Sequence, residues 1–116
     1  FSFIATFDCV HDMTSPEELA SAIYNSMTPE GRWLIVDPTS RGTLEENIKM
    51  PLAVFGYAAS VAGCLQSGMS ESGGAGHGVY GLPPAAMQEL TEKAGFTRFR
   101  QLSIEHPMNS YYEVRP

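Results

Sequence analysis

Residues 33–36, Trp-Leu-Ile-Val, form an apolar run without polar alternation, bracketed by Arg32 and by Asp37-Pro38. Such a run fits a strand covered on both faces, the situation of a parallel sheet. The residues before it agree. Phe1, Phe3, Ala5 and Phe7 alternate with Ser2, Ile4 and Thr6, and both faces stay largely apolar until Asp8, which predicts an earlier buried strand. Between the two lies a helix signature. Ser15 suits the cap, Pro16 the first helical position, and Glu18 the closing residue of a capping box. The Glu17-Glu18 pair also suits the positive end of a helix dipole. Leu19, Ile23 and Met27 recur every fourth residue, with Ala20 and Tyr24 beside them, and predict one buried stripe. Thr28-Pro29-Glu30-Gly31 ends the helix. Strand, capped helix, strand predicts a right-handed βαβ crossover.

Thr39–Asn47 reads as a polar loop. Residues 44–65 read as helical, with Leu44, Ile48, Leu52, Phe55 and Ala59 at helical spacing and Pro51 dividing or kinking the segment. Gln66–Gly81 is rich in Gly and Ser and too long for an ordinary connection, so a functional or mobile loop is expected. Pro83–Ala94 predicts a helix, with Met87, Leu90 and Ala94 on one face and Gly95 past its end. Phe99–Glu105 and Tyr111–Val114 predict two strands, and the short turn Pro107–Ser110 forces them antiparallel. The expected fold is α/β, with parallel strands ending in an antiparallel hairpin and helices on both faces. One domain is expected over residues 1–116, with an inserted helix and Gly-rich lid at about 39–82.

The 116 residues are enough for one domain. With 43% hydrophobic and 17% charged residues, the chain reads as globular rather than disordered. The net charge of −6, with seven scattered Lys and Arg, argues against nucleic-acid binding, which needs a basic patch. No stretch approaches the roughly 18 apolar residues of a membrane span. Cys9 and Cys64 read as reduced packing thiols, which points to the cytoplasm. The chain starts at Phe1 without a preceding Met or upstream partner strand, so a piece of a longer protein is expected.

Open α/β sheets carry their chemistry beyond the carboxyl ends of the strands. Asp8, His11 and Asp12 follow the first strand in that position. An imidazole near neutral pKa can take a proton from an acceptor O–H or N–H. His11 and Asp12 could equally close the loop. As a metal pair they would need His77 or His106 as a third ligand, with no recognisable spacing, so no metal is expected. Asp37, at the end of the next strand, faces a pocket or caps a turn. A literal G-x-G-x-x-G occurs at Gly76–Gly81. A phosphate loop of that type needs a strand before it and a helix after it, and Ser70-Glu-Ser-Gly-Gly precedes it instead, so it reads as loop.

Three stretches resemble the C-terminal half of class I S-adenosylmethionine-dependent methyltransferases. FIATFDCVHDM (3–13) is similar to that family's fourth strand and following loop. TPEGRWLIVDP (28–38) resembles its "L-K-P-G-G-x-L-L-I-x-D/E" turn and fifth strand, with Glu30 where the family usually has Gly. AGFTRF (94–99) resembles the helix end before the closing hairpin. The resemblance implies a Rossmann-like fold and transfer of a methyl group from S-adenosylmethionine to a small-molecule O, N or C acceptor. It implies Thr6, Phe7 and Asp8 beside the cofactor, and His11 as catalytic residue. It places the lid residues His77 and Tyr80 over the acceptor, beside which His11 and Asp12 are candidate acceptor contacts and Tyr57 is either core or a wall of the acceptor pocket. The family's Gly-rich cofactor loop and ribose-binding acid lie upstream of the matching region, so these residues alone are expected to be inactive. A homodimer, or pairing with the missing N-terminal half, follows from the open edge of the first strand. Two other readings stand beside this one: a non-catalytic α/β interaction or dimerisation module, and a metal-dependent hydrolase using His11 and Asp12.

Overall fold

A computed structural model describes all 116 residues. Strand β1 (Phe3–Phe7) pairs parallel with β2 (Arg32–Pro38), in the register Phe3 to Arg32 through Phe7 to Val36. Helix α1 (Pro16–Ser26) connects them. The far side of β2 pairs antiparallel with β4 (Asn109–Arg115), which pairs antiparallel with β3 (Arg98–Gln101). The strand order is β1-β2-β4-β3. Helix α5 (Pro84–Ala94) leads into β3 and ends at Gly95, whose φ of 110° only glycine adopts readily.

One face of this sheet carries the core. Trp33 and Ile35 of β2 pair across to Val114 and Tyr112 of β4, and all four are fully buried. Ala20 and Ile23 of α1, with Met87 and Leu90 of α5, close over them. The Trp33 indole N–H donates to Thr6 Oγ1 at 3.0 Å, and its ring packs on Phe96. Helices α1 and α5 lie side by side on this face. The molecule is only 18 Å through its thinnest direction, the depth of one sheet and one helical layer.

The opposite face differs from the sequence expectation. β1 was expected to be covered on both faces, yet Phe3 is 58% and Phe7 62% exposed. β1 is the edge of the sheet, and no helix of these residues covers its Phe face. The apolar composition of the strand is real; its partner is not among these elements.

The segment after β2 is broken into short pieces: α2 (Leu44–Asn47), α3 (Ala53–Ala59), a π-helical turn (Ser60–Cys64) and α4 (Leu65–Gly68). The break at 48–52 falls at Pro51, as expected. Leu44, Ile48 and Phe55 are exposed, so their helical spacing marks a surface rather than a core stripe. The stretch from Met69 to Pro83 has no regular structure but is fastened to its surroundings. Ala75 N–H donates to Thr14 C=O, Val79 N–H to Ser60 Oγ, and Ser40 Oγ–H to Tyr80 C=O, while Val79 and Leu82 are buried. The glycines of the Gly76–Gly81 motif serve this fit. Gly78 has a φ of 68°, and a Cβ there would lie 2.3 Å from Ser60 Oγ.

Smaller differences are local. Ser15 sits at the cap of α1, but its side chain makes no capping hydrogen bond, so the capping box does not form. β3 stops at Gln101 rather than Glu105, and β4 starts two residues earlier than expected, at Asn109. Cys9 and Cys64 are free thiols, half-buried rather than buried. No helix is long and apolar enough to cross a membrane.

Candidate functional site

The parallel register places the ends of β1 and β2 next to each other. Asp8 N–H continues the ladder, donating to Val36 C=O at 2.8 Å, and the chain then turns sharply at Asp8 with a φ of 48°. Asp is one of the few non-glycine residues that tolerate this region, and such strain clusters at functional sites. Asn109 Nδ2 holds the strained residue by donating to Asp8 Oδ1 at 2.7 Å. A single 3₁₀ turn, Val10–Asp12, follows. Val10 anchors it in the core, and this brings the next side chain, His11, under the end of β2.

There His11 meets Asp37. His11 Nδ1 lies 3.1 Å from Asp37 Oδ1, and the two side chains are 4% and 2% exposed. On its other nitrogen, Nε2 lies 3.2 Å from Asp12 Oδ1. Burial pushes the imidazole pKa down, but the hydrogen bond and charge of Asp37, helped by Asp12 and Asp8, outweigh it. The imidazole therefore holds its proton above the ordinary histidine range. With Asp37 accepting from Nδ1–H, Nε2 is the nitrogen left for exchange with a bound molecule.

Asp8, His11 and Asp12 form the polar floor of a cavity of about 470 Å³, and Asp37 lies behind His11, outside the lining. The cavity walls come from five segments. Asp8, His11 and Asp12 follow β1, Pro38 ends β2, and Thr39 and Arg41 follow it. Met50, Leu52, Phe55, Gly56, Ala59 and Cys64 come from the broken helical segment, His106 and Met108 from the turn before β4, and Asn109 from its first residue. Val79 and Tyr80 close one side. The volume and the apolar walls with a few convergent polar groups suit a small organic molecule. Burial first, then the neighbouring Asp12 carboxylate, pushes the Cys64 thiol up to about 11.

The expected site residues divide. Asp8, His11, Asp12 and Tyr80 line the cavity. Tyr57 and His77 do not. They open on a second recess of about 260 Å³ that Tyr80 also lines. The Tyr57 and Tyr80 rings meet edge to face at 4.8 Å and divide the two spaces, and Tyr57 Oη accepts from Asn47 Nδ2 at 3.2 Å. The Thr6 hydroxyl is engaged by Trp33 and so belongs to the core. Phe7 is exposed on the free face of the sheet end. Neither His77 nor His106 reaches the His11–Asp12 pair as a third ligand. His106 Nδ1 accepts from Met108 and Asn109 N–H and fixes its own turn.

Sequence reasoning passed over Arg41, Cys64 and Asn109 as site residues and left Asp37 open between a pocket and a turn cap. For Asp37 a signal existed. In a parallel pair, Phe7 opposite Val36 puts the residues after both strands side by side, so Asp37 had to stand near the His11 turn. For the other three, only the tertiary fold supplies the neighbour.

No protein-family model and no curated protein matches the chain. Solved structures do. A candidate O-methyltransferase from Nostoc punctiforme PCC 73102 superposes with a TM-score of 0.69 at 15% identity, over 100% of this chain and 32% of that one. The trans-methyltransferase CalH, solved in complex with SAH, gives 0.67 at 18% identity over 99% of this chain and 30% of that one. Human N-acetylserotonin methyltransferase, solved in complex with SAM, gives 0.58 at 15% identity over 98% and 29%. The chain thus spans about a third of the length of these structures. The sheet order, the α1 crossover and the closing hairpin are those of the C-terminal part of the methyltransferase fold.

Proposed function

We propose that these residues are the acceptor-side part of an S-adenosylmethionine-dependent methyltransferase, acting on an O–H or N–H group of a small molecule held in the cavity. One observation carries the reading: His11, which lines that cavity, is held from behind by the buried Nδ1–Asp37 Oδ1 contact of 3.1 Å. Asp37 fixes the ring and its tautomer. Nε2 of His11 then takes the acceptor proton as the methyl group arrives. The cavity walls hold the acceptor in line, which supplies the proximity part of the catalysis. Asp37 is a positioning residue; His11 is the catalytic one. The alternative of a carbon acceptor has no further support in the site.

S-adenosylmethionine, when bound, supplies the electrophilic methyl on a cationic sulfonium. Two residues fit that group. Phe7 presents an unpartnered ring at the carboxyl end of β1, and the Asp8 carboxylate beside it offers a counter-charge. Thr6 contributes at most its backbone. The remaining cofactor contacts come from the rest of a longer protein, which also covers the Phe1, Phe3 and Phe7 face. Free half-buried thiols agree with a reducing compartment such as the cytoplasm.

Titration calorimetry with S-adenosylmethionine tests this on the intact protein. Micromolar binding is expected, weakened by Phe7→Ala. No binding at millimolar cofactor overturns the proposal. A second reading is favoured by the open β1 edge: a module that pairs with another copy of itself. A monomer by size-exclusion chromatography with light scattering removes it.

A further inference from the structure

His11, Asp12 and Cys64 come together although they lie on two segments more than fifty residues apart. Their ligand atoms all fall within 4.8 Å of one another. Two features of the group ask for a positive charge. Asp12 Oδ1 is buried and has no hydrogen-bond donor. His11 Nε2 stands 3.2 Å from it, but not along a hydrogen-bond direction. In the neutral ring, with its proton on Nδ1, the Nε2 lone pair and the Asp12 oxygen are two acceptors face to face, and either a second ring proton or a bound cation must come between them.

We propose that these three residues form a site for a divalent cation of zinc-like softness, and that its occupation blocks the base. The donor set is one nitrogen, one oxygen and one sulfur, which suits zinc and excludes the hard, oxygen-preferring calcium and magnesium. Asp37 completes the arrangement. It accepts from His11 Nδ1–H at 3.1 Å, the carboxylate-histidine-metal relay that orients a ligating imidazole and raises its basicity. A tetrahedral zinc with bonds of about 2.0–2.3 Å needs donor separations of about 3.3–3.8 Å. His11 and Asp12, at 3.2 Å, are within about 0.1 Å of that spacing, so the Cys64 side chain closes the remaining ångström or so.

The fold brings Cys64 there by an irregularity. The π-helical turn Ser60–Cys64 interrupts the helix, and π turns of this kind recur at functional sites. The following α4 is tied to the His11 turn by Ser67 Oγ–H donating to Asp12 C=O at 3.1 Å. The thiol's high pKa opposes metal binding, because the proton must leave. Its cause is burial first, then a hydrogen bond from the thiol to the Asp12 carboxylate and the charges of Asp12 and Asp37, and those carboxylates are also what draw a cation in. A bound divalent ion deprotonates a coordinating thiol outright. The fourth position faces the cavity and is left to water or to an acceptor heteroatom.

The inhibitory consequence rests on the reading of His11 as the base; the metal site itself does not. Cobalt(II) titration of the intact protein separates the two. A thiolate-to-cobalt charge-transfer band is expected at one equivalent, lost in Cys64→Ser but kept in Cys9→Ser, with zinc displacing cobalt stoichiometrically. Asp37→Asn is expected to weaken cobalt binding by about 10- to 100-fold, as loss of a metal-orienting carboxylate does elsewhere. Absence of the band, or its survival in Cys64→Ser, overturns the proposal. If the band appears and methyl transfer is not inhibited by zinc, the metal site stands and His11 is not the base.

Discussion

Gly56 is the position where packing around the cavity makes the sharpest prediction. It lies buried in α3, and a Cβ built there would stand 1.9 Å from Tyr80 Oη and 2.4 Å from Cζ. Carbon cannot approach that closely, so in Gly56→Ala the Tyr80 ring must leave its place. It cannot retreat towards Tyr57, whose ring already lies 4.8 Å away. Swinging out forfeits the aromatic pair, about 0.5–1.5 kcal/mol. Overpacking and the displaced wall add about 1–2 kcal/mol. Against this, alanine is favoured over glycine inside a helix by about 1 kcal/mol. The net expectation is a loss of about 1–2 kcal/mol. In a Tyr80→Ala background the obstacle is absent, and the same Gly56→Ala change should stabilise by up to about 1 kcal/mol. The sign therefore reverses between the two backgrounds. Urea unfolding of the intact protein in the four combinations measures it. Equal destabilisation in both backgrounds would refute the argument, because the cost would then not lie in Tyr80.

Two further outcomes follow from the core and the sheet. Trp33→Phe loses the indole bond to Thr6 Oγ1 and part of a fully buried ring, so a cost of about 2–3 kcal/mol is expected at unchanged m; a change under about 0.5 kcal/mol, the range of an ordinary surface substitution, would show that the indole is not part of the core. Glu113 is held below the ordinary carboxylate range by the Arg115 hydrogen bond first, then by the charges of Arg115, Arg100 and Arg32. A lowered folded pKa stabilises fully above the unfolded value, and the contribution is lost as pH falls through the folded one. The stability difference between wild type and Glu113→Gln should thus be constant at neutral pH and vanish in acid, with a size of about 1 kcal/mol or less because the arginines are largely solvated. A difference that grows on acidification contradicts the assignment.

Much of the fold was legible in the chain because local and tertiary preferences agree there. Trp33–Val36 is apolar throughout and is the central strand, and Pro16 and Gly95 mark helix ends that the structure keeps. The misreadings share one cause: an apolar pattern reports that a residue wants cover, not that cover is at hand. Phe3 and Phe7 look buried by sequence and are exposed on an edge strand. Leu44 and Ile48 keep helical spacing and are exposed, and Phe55 lines the cavity rather than the core. The site was half legible. His11 announced itself at a strand end, whereas Asp37, twenty-six residues away, became its partner through strand register. Cys64 reaches the same place only because a π turn redirects the helix, and no local pattern encodes that.

The central claim is that His11 moves the acceptor proton in a methyl transfer. Its most direct test is the rate of labelled-methyl transfer from S-adenosylmethionine by the intact protein, comparing wild type with His11→Gln under saturating cofactor. A fall in kcat of about 100- to 10,000-fold is expected, the usual contribution of a positioned general base, with cofactor affinity unchanged in the folded variant. A folded His11→Gln protein that transfers methyl groups at the wild-type rate would contradict it.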